Sequence, residues 1–301
     1  MTDTRIPTAA PAPPPTGRPH RRSRRPRRLV LAALAVAALA AATAALVDRS
    51  RPVPTVNLSA PSTAELDVAA QSRVVFGHQS VGDNILGGVG ALYAAAGVSE
   101  PEVVDTREPV PGADGYIAHT HVGANGDPLS KLADFAEVAG GPLGTQADVL
   151  LLKLCYADIT ASSDVEAVFD AYVAAMTAIQ AAHPDATVLY TTVPVTADRS
   201  LKAKVKALLG RDDQMGPADN LARQRYNELI RERYQATGRL FDVAAAESTL
   251  ASDPALRGEG AEQYAVLNPA LMSDAGHLNA HGAQVVAADL MRLIAAHTPT
   301  R

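Results

Sequence analysis

Val74-Val75-Phe76-Gly77-His78-Gln79-Ser80-Val81-Gly82 is the stretch on which the fold turns. A short β-branched and aromatic run closes at Gly77, and Ile85, Leu86, Val89, Leu92 and Tyr93 then recur at helical spacing until Gly97. The stretch therefore reads as strand, turn and helix. Further along, Val149 to Leu152 is continuously apolar, the mark of a strand buried on both faces. Ser163-x-x-Glu166 predicts a capping box that opens a helix with Val165, Val168, Phe169, Tyr172, Val173, Met176 and Ile179 on one side, ended by His183-Pro184. Thr187 to Thr192 reads as a strand, about Asp219 to Gln235 as a helix, Arg239-Leu240-Phe241 as a short strand and about Ala280 to Ala295 as the last helix. Such alternation predicts an α/β fold, a parallel sheet with helices on both faces, whose chemistry gathers at the C-terminal ends of the strands.

Composition narrows the function. The 301 residues are 47% hydrophobic but only 4% aromatic, and carry no Trp and one Cys. That apolar content is globular. Cys155 alone excludes an intramolecular disulfide framework and a Cys-rich zinc site. The net charge of −5 hides a split: residues 1–51 hold ten Arg against two acids, which leaves 17 basic and 30 acidic side chains in residues 52–301. A body at −13 repels phosphates, so the folded part is not expected to bind nucleic acid.

The basic end has its own reading. Residues 1–28, with seven Pro and eight Arg, cannot bury a core and are expected to be a disordered cytoplasmic segment. Residues 29–47 (Leu29 to Val47) are 19 uncharged residues, about 28 Å as a helix and close to a bilayer's hydrocarbon thickness. Arg ahead of this run places the N-terminus inside and the body outside the membrane. The run exceeds a usual signal-peptide core, so an uncleaved transmembrane anchor is expected; secretion after cleavage at Ala42-Thr43-Ala44 is the alternative. Residues 48–71 read as a linker and 72–298 as the folded domain. Lys202, Lys204, Lys206 and Arg211 read as a solvated basic face.

Two short segments carry chemistry. Ser80 sits where the first strand meets the first helix, so its hydroxyl is exposed at the sheet edge beside N–H groups able to receive an oxyanion. Ser273-Asp274-Ala275-Gly276-His277-Leu278-Asn279 precedes the last helix. Asp274, three residues before His277, can hold the imidazole Nδ1–H and aim Nε2 at a nucleophile. Each also has a plainer reading: Ser80 as an N-cap, and Asp274 with His277 as a cap of the final helix.

Together these segments resemble the SGNH/GDSL hydrolase superfamily, serine esterases and acyltransferases on a flavodoxin-like three-layer α/β/α sandwich. Val74 to Gly82 looks like the family's first block, with Ser80 as nucleophile, and Asp274-Ala275-Gly276-His277 looks like its last. Thr191-Thr192-Val193-Pro194 is similar to the family's strand ending in proline, and Asn220 through Tyr226-Asn227 to Phe241-Asp242 to its helix and strand before the catalytic loop. The resemblance spans about residues 72–298. It departs where Gln79 stands for the family's Asp, His78 for its Gly, and Ala157 for the oxyanion-hole Asn, in Cys155-Tyr156-Ala157-Asp158. The resemblance then implies a triad of Ser80, His277 and Asp274. It implies an oxyanion hole from the N–H groups of Ser80 and Gly123, with the Asn125 amide replacing the missing donor. It calls for no cofactor. The implied substrate is a small acyl ester or an acetylated cell-envelope glycan, with transfer to a sugar hydroxyl as a variant.

Two rivals use the same sequence. His119-x-His121 and His277-x-x-x-His281, with Asp127 or Asp274, would form a metal site for assisted hydrolysis. A catalytically inactive glycan-binding domain is the other.

Overall fold

The computed structural model describes residues 59–199, 213–250, 253–258 and 262–298. The Arg-rich segment, the apolar run of residues 29–47 and the basic cluster from Lys202 to Arg211 lie outside the described residues. Among the described helices, Val165–Ala182 is long and apolar enough to cross a bilayer, yet it buries Tyr172, Met176 and Ile179 in the protein's own core.

A helix, α1 (Thr63–Ala70), falls inside the segment expected as linker. Ser62 and Glu65 make its capping box, and Leu66 and Ala69 are buried, so the packed domain already includes these residues. The strand–turn–helix reading holds: β1 (Arg73–His78) runs into α2 (Ser80–Ala96), which ends at Gly97 in the left-handed conformation. Two strands follow, β2 (Glu102–Asp105) and β3 (Tyr116–His121), and then α3 (Pro128–Gly140). Next come β4 (Val149–Leu152), α4 (Val165–Ala182) and β5 (Thr187–Thr191). The chain closes with α5 (Pro217–Tyr234), β6 (Leu240–Phe241), α6 (Val243–Ser248) and α7 (Ala280–His297).

One expected cap moves. Asp164, not Ser163, caps α4 through the Ala167 N–H, because the Ser163 hydroxyl is drawn back to the Thr160 N–H and the Asp158 carbonyl.

The six strands lie in the order β2-β3-β1-β4-β5-β6, and every pairing is parallel. Alternate residues therefore feed two cores. Val74 and Phe76 face α1, α2 and α7, whereas Val75, Leu150 and Leu152 face α3, α4 and α5. Helices on both faces make a three-layer α/β fold. The chain leaves β3 and crosses β1 to reach β4, so the sheet changes direction beside the end of β1. Helices α2 and α7 approach so closely at Gly88 that a Cβ there would lie 2.3 Å from the Ala283 carbonyl oxygen. That approach brings the start of α2 alongside the loop leading into α7.

Candidate active site

Ser80 is the first residue of α2, after Gln79 in extended conformation (φ −140°, ψ −173°). No side chain caps this helix, because the Gln79 amide instead donates to the carbonyls of Val122 (2.8 Å) and Gly123 (3.2 Å). No side chain takes the leading N–H groups of α2, and that of Gly82 donates to the Gln79 carbonyl at 2.6 Å.

The loop before α7 is held from three sides. Met272–Asp274 pairs antiparallel with His277–Leu278; the Ala197 N–H donates to the Ala275 carbonyl (2.8 Å); and the Leu278 N–H donates to Asn84 Oδ1 on α2 (3.2 Å). Asn279 caps α7 through the Gly282 N–H. These ties place His277 Nε2 3.0 Å from Ser80 Oγ, with Asp274 Oδ1 and Oδ2 at 2.9 and 3.0 Å from His277 Nδ1. A carboxylate oxygen only accepts, so Nδ1 carries the proton and Nε2 accepts from the serine hydroxyl. Partial burial works to raise the Asp274 carboxyl pKa, but the Gly276 N–H and His277 overcome it and hold the carboxyl below the usual range. Tyr156 closes the near side, edge-on to His277 at 6.1 Å between ring centroids, and buried Arg223 donates to its carbonyl at 2.8 Å.

The loop after β3 departs from expectation. The Gly123 N–H donates to Asp134 Oδ2 at 2.8 Å, which removes Gly123 from the oxyanion donors. Asn125 is exposed, and its Oδ1 accepts from the ammonium of wholly buried Lys131 at 2.9 Å. Lys131 also grips Asp158 at 2.7 and 2.9 Å, and Asp158 accepts from the N–H groups of Gly126 and Cys155. The loop is thereby pinned to the turn that holds Ala157.

The quartet His119, His121, His277 and His281 does not assemble. His277 is engaged by Ser80 and Asp274, Asp127 caps α3 through the Ser130 N–H, and His281 is exposed at the start of α7. His119 instead meets His78, and His121 meets Asp83.

Sequence reasoning passed over Lys131 and the His78–His119 pair. The signal for Lys131 was available: a lysine on the stripe that holds Leu132, Phe135, Val138 and Ala139 needs an acidic partner indoors.

No family model and no curated protein matches this chain. Among solved structures, it is similar to a protein described as a GDSL-like lipase from Parabacteroides merdae (14% identity, 82% of this chain and 100% of that one, TM-score 0.44). It is also similar to phospholipase A1 from Streptomyces albidoflavus (15%, 75% and 99%, TM-score 0.38). A third is the periplasmic domain of a lipopolysaccharide acetyltransferase from Salmonella ser. Paratyphi A (12%, 71% and 80%, TM-score 0.39).

Proposed function

We propose that this chain is an SGNH-type serine hydrolase that cleaves small acyl esters. The observation that carries the reading is the unbroken line Ser80 Oγ, His277 Nε2, His277 Nδ1, Asp274, assembled from residues 197 positions apart. A helix N-cap needs no imidazole at 3.0 Å, and a loop cap needs no serine, so the plainer readings leave this contact unexplained.

In the proposed reaction, His277 takes the Ser80 proton as Oγ attacks the acyl carbon. The oxyanion forms beside the Ser80 N–H and the Asn125 amide, whose oxygen is occupied by Lys131 and whose NH2 is thus the end left for it. Collapse expels the alcohol, which receives the proton from His277. Water then attacks the acyl-enzyme, giving up its proton to His277, and the free acid and serine are restored. A sugar hydroxyl in place of water would give acyl transfer. Asp274 keeps the tautomer and stabilises the imidazolium in both halves. None of these steps calls on a cofactor.

With the apolar run of residues 29–47 as an anchor, the domain would stand outside the cytoplasmic membrane, and an acetylated cell-envelope glycan is the substrate class within reach. The absence of Trp favours a small acyl group over a long stacking cleft.

The test is fluorophosphonate labelling of the purified full chain beside Ser80→Ala, with and without EDTA. Labelling lost in Ser80→Ala and indifferent to EDTA is expected. An unlabelled wild-type chain would overturn the reading, and glycan binding without turnover would then favour a binding domain.

A further inference from the structure

A second cluster lies at the C-terminal ends of β1 and β3, apart from the triad. His78 ends β1, and the parallel register sets His119 opposite Phe76 and His121 opposite His78. Asp83 reaches the same place from the first turn of α2. The His78 ring is wholly buried and pressed against that turn; a Cβ on Gly82 would lie 2.2 Å from its Cγ, so only glycine admits it.

The tautomers follow from the partners. His78 Nδ1 lies 3.1 Å from the Gln79 carbonyl oxygen, which can only accept, so Nδ1 bears the proton. With the ring neutral, His78 Nε2 is a lone pair, and it faces His119 Nδ1 at 3.0 Å. His121 Nε2 donates to Asp83 Oδ2 at 2.8 Å, leaving Oδ1 on the side of His78 at 4.0 Å from Nδ1. One ligand atom from each of His78, Asp83 and His119 lies within 4.8 Å of the others.

We propose that His78, His119 and Asp83 bind one divalent transition cation of the zinc class, with His121 holding the Asp83 carboxylate from behind. Two imidazoles and a carboxylate are the donor set such an ion prefers, and three protein ligands leave its fourth position to water. The outer contacts also suit it. A metal-bound histidine typically gives its other N–H to a carbonyl, as His78 does to Gln79, and a ligating carboxylate is itself hydrogen-bonded, as Asp83 is to His121. Bonds of about 2.1 Å in tetrahedral geometry require donors roughly 3.4 Å apart. The His78–His119 pair must therefore open slightly from 3.0 Å while Asp83 closes in, and the exposed Asp83 side chain is the member free to move. His119 must shift its proton from Nδ1 to Nε2, which changes no net charge.

Bound there, the ion would fasten β1, β3 and the first turn of α2, the segment that presents Gln79 and Ser80. Its role is to brace that segment and not to polarise the substrate, and the site stands whether or not Ser80 is a nucleophile.

The experiment strips the full chain with EDTA and titrates it with Zn2+ by calorimetry and with Co2+ by visible absorption. One ion per chain is expected, with the intense cobalt bands of a four- or five-coordinate site and a rise in thermal stability on adding zinc. Asp83→Asn, at the surface, and His119→Gln should each weaken zinc binding by at least about 10-fold. His277→Gln and His281→Gln should leave it unchanged. No stoichiometric uptake by the wild-type chain would overturn the proposal. So would uptake of equal affinity in Asp83→Asn and His119→Gln.

Discussion

Glu247 gives the structure a pH dependence whose size follows from its surroundings. It lies on α6, wholly buried, with its carboxyl oxygen accepting the Val195 N–H. Burial raises its pKa from the ordinary 4.5 to about 8, against the opposing pull of the Val195 donor and Lys153. Between those two values the unfolded chain has released a proton that the native state retains. The native state thus binds more protons, and this group's contribution to stability falls as pH rises through the window. Integrating from pH 5 to pH 7 gives a loss of about 2.5 kcal/mol, since the unfolded carboxyl is mostly ionised throughout that span while the native one stays protonated. At roughly 2–4 °C per kcal/mol for a domain of this size, the loss corresponds to about 5–10 °C in Tm. Glu247→Gln keeps an oxygen for the Val195 N–H and removes the titration. Thermal unfolding of both chains at pH 5, 6 and 7 should show the Gln variant gaining on wild type by about 5–10 °C across the series. Parallel curves would refute the reasoning, because they would mean that Glu247 is already ionised in the fold.

Two further outcomes test the triad and the oxyanion donor. Asp274 Oδ1 accepts both the Gly276 N–H and the His277 Nδ1–H, so Asn at this position can keep both bonds and the tautomer and lose only the charge. With that side chain 63% exposed, the lost charge is worth about 1–3 kcal/mol after solvent screening, and kcat for a small ester should fall about 5- to 150-fold. A fall of about 10⁴-fold would mean that the tautomer is lost instead. Asn125→Ala should lower kcat by roughly 10²–10³ with little change in KM, measured on the same ester, and an unchanged kcat would remove Asn125 from the oxyanion site.

What was legible in the sequence is what local pattern decides. The β1–α2 junction, β4 and the last helix all announce themselves by apolar spacing, and Ser80, His277 and Asp274 fall at their boundaries. The failures have a common physical cause. Glu102–Asp105 is mostly exposed at the sheet edge, so β2 shows no burial pattern. Ser163 fits a capping box, but the Thr160 N–H and Asp158 carbonyl compete for its hydroxyl. Gly123 sits where a backbone donor was expected, and only the fold reveals that Asp134, eleven residues later, takes its N–H. The histidine quartet paired residues by spacing along the chain, whereas the parallel register of β1 and β3 sets His121 opposite His78 and brings the His119 ring within 3.0 Å of the His78 ring.

The alanine at position 157 is the sharpest departure from the resemblance, and its surroundings bear on how the proposed hydrolase would tolerate it. The neighbouring Asp158 is buried and takes four donors: Lys131 twice, Gly126 N–H and Cys155 N–H. Breaking such a buried pair costs on the order of 3–5 kcal/mol, so the loop from Gly123 to Asp127 is fixed to the Ala157 turn with little freedom. Lys131 uses its remaining donor on Asn125 Oδ1, which orients that amide. In the proposed reading, the amide missing at Ala157 is supplied from the adjacent loop, and Lys131 and Asp158 are the positioning residues that make the exchange work. The same logic accounts for Gln79. Instead of capping α2, it spends its amide on the Val122 and Gly123 carbonyls, which secures the other end of that loop and, in the proposed reading, leaves the Ser80 N–H without a side-chain cap for the oxyanion.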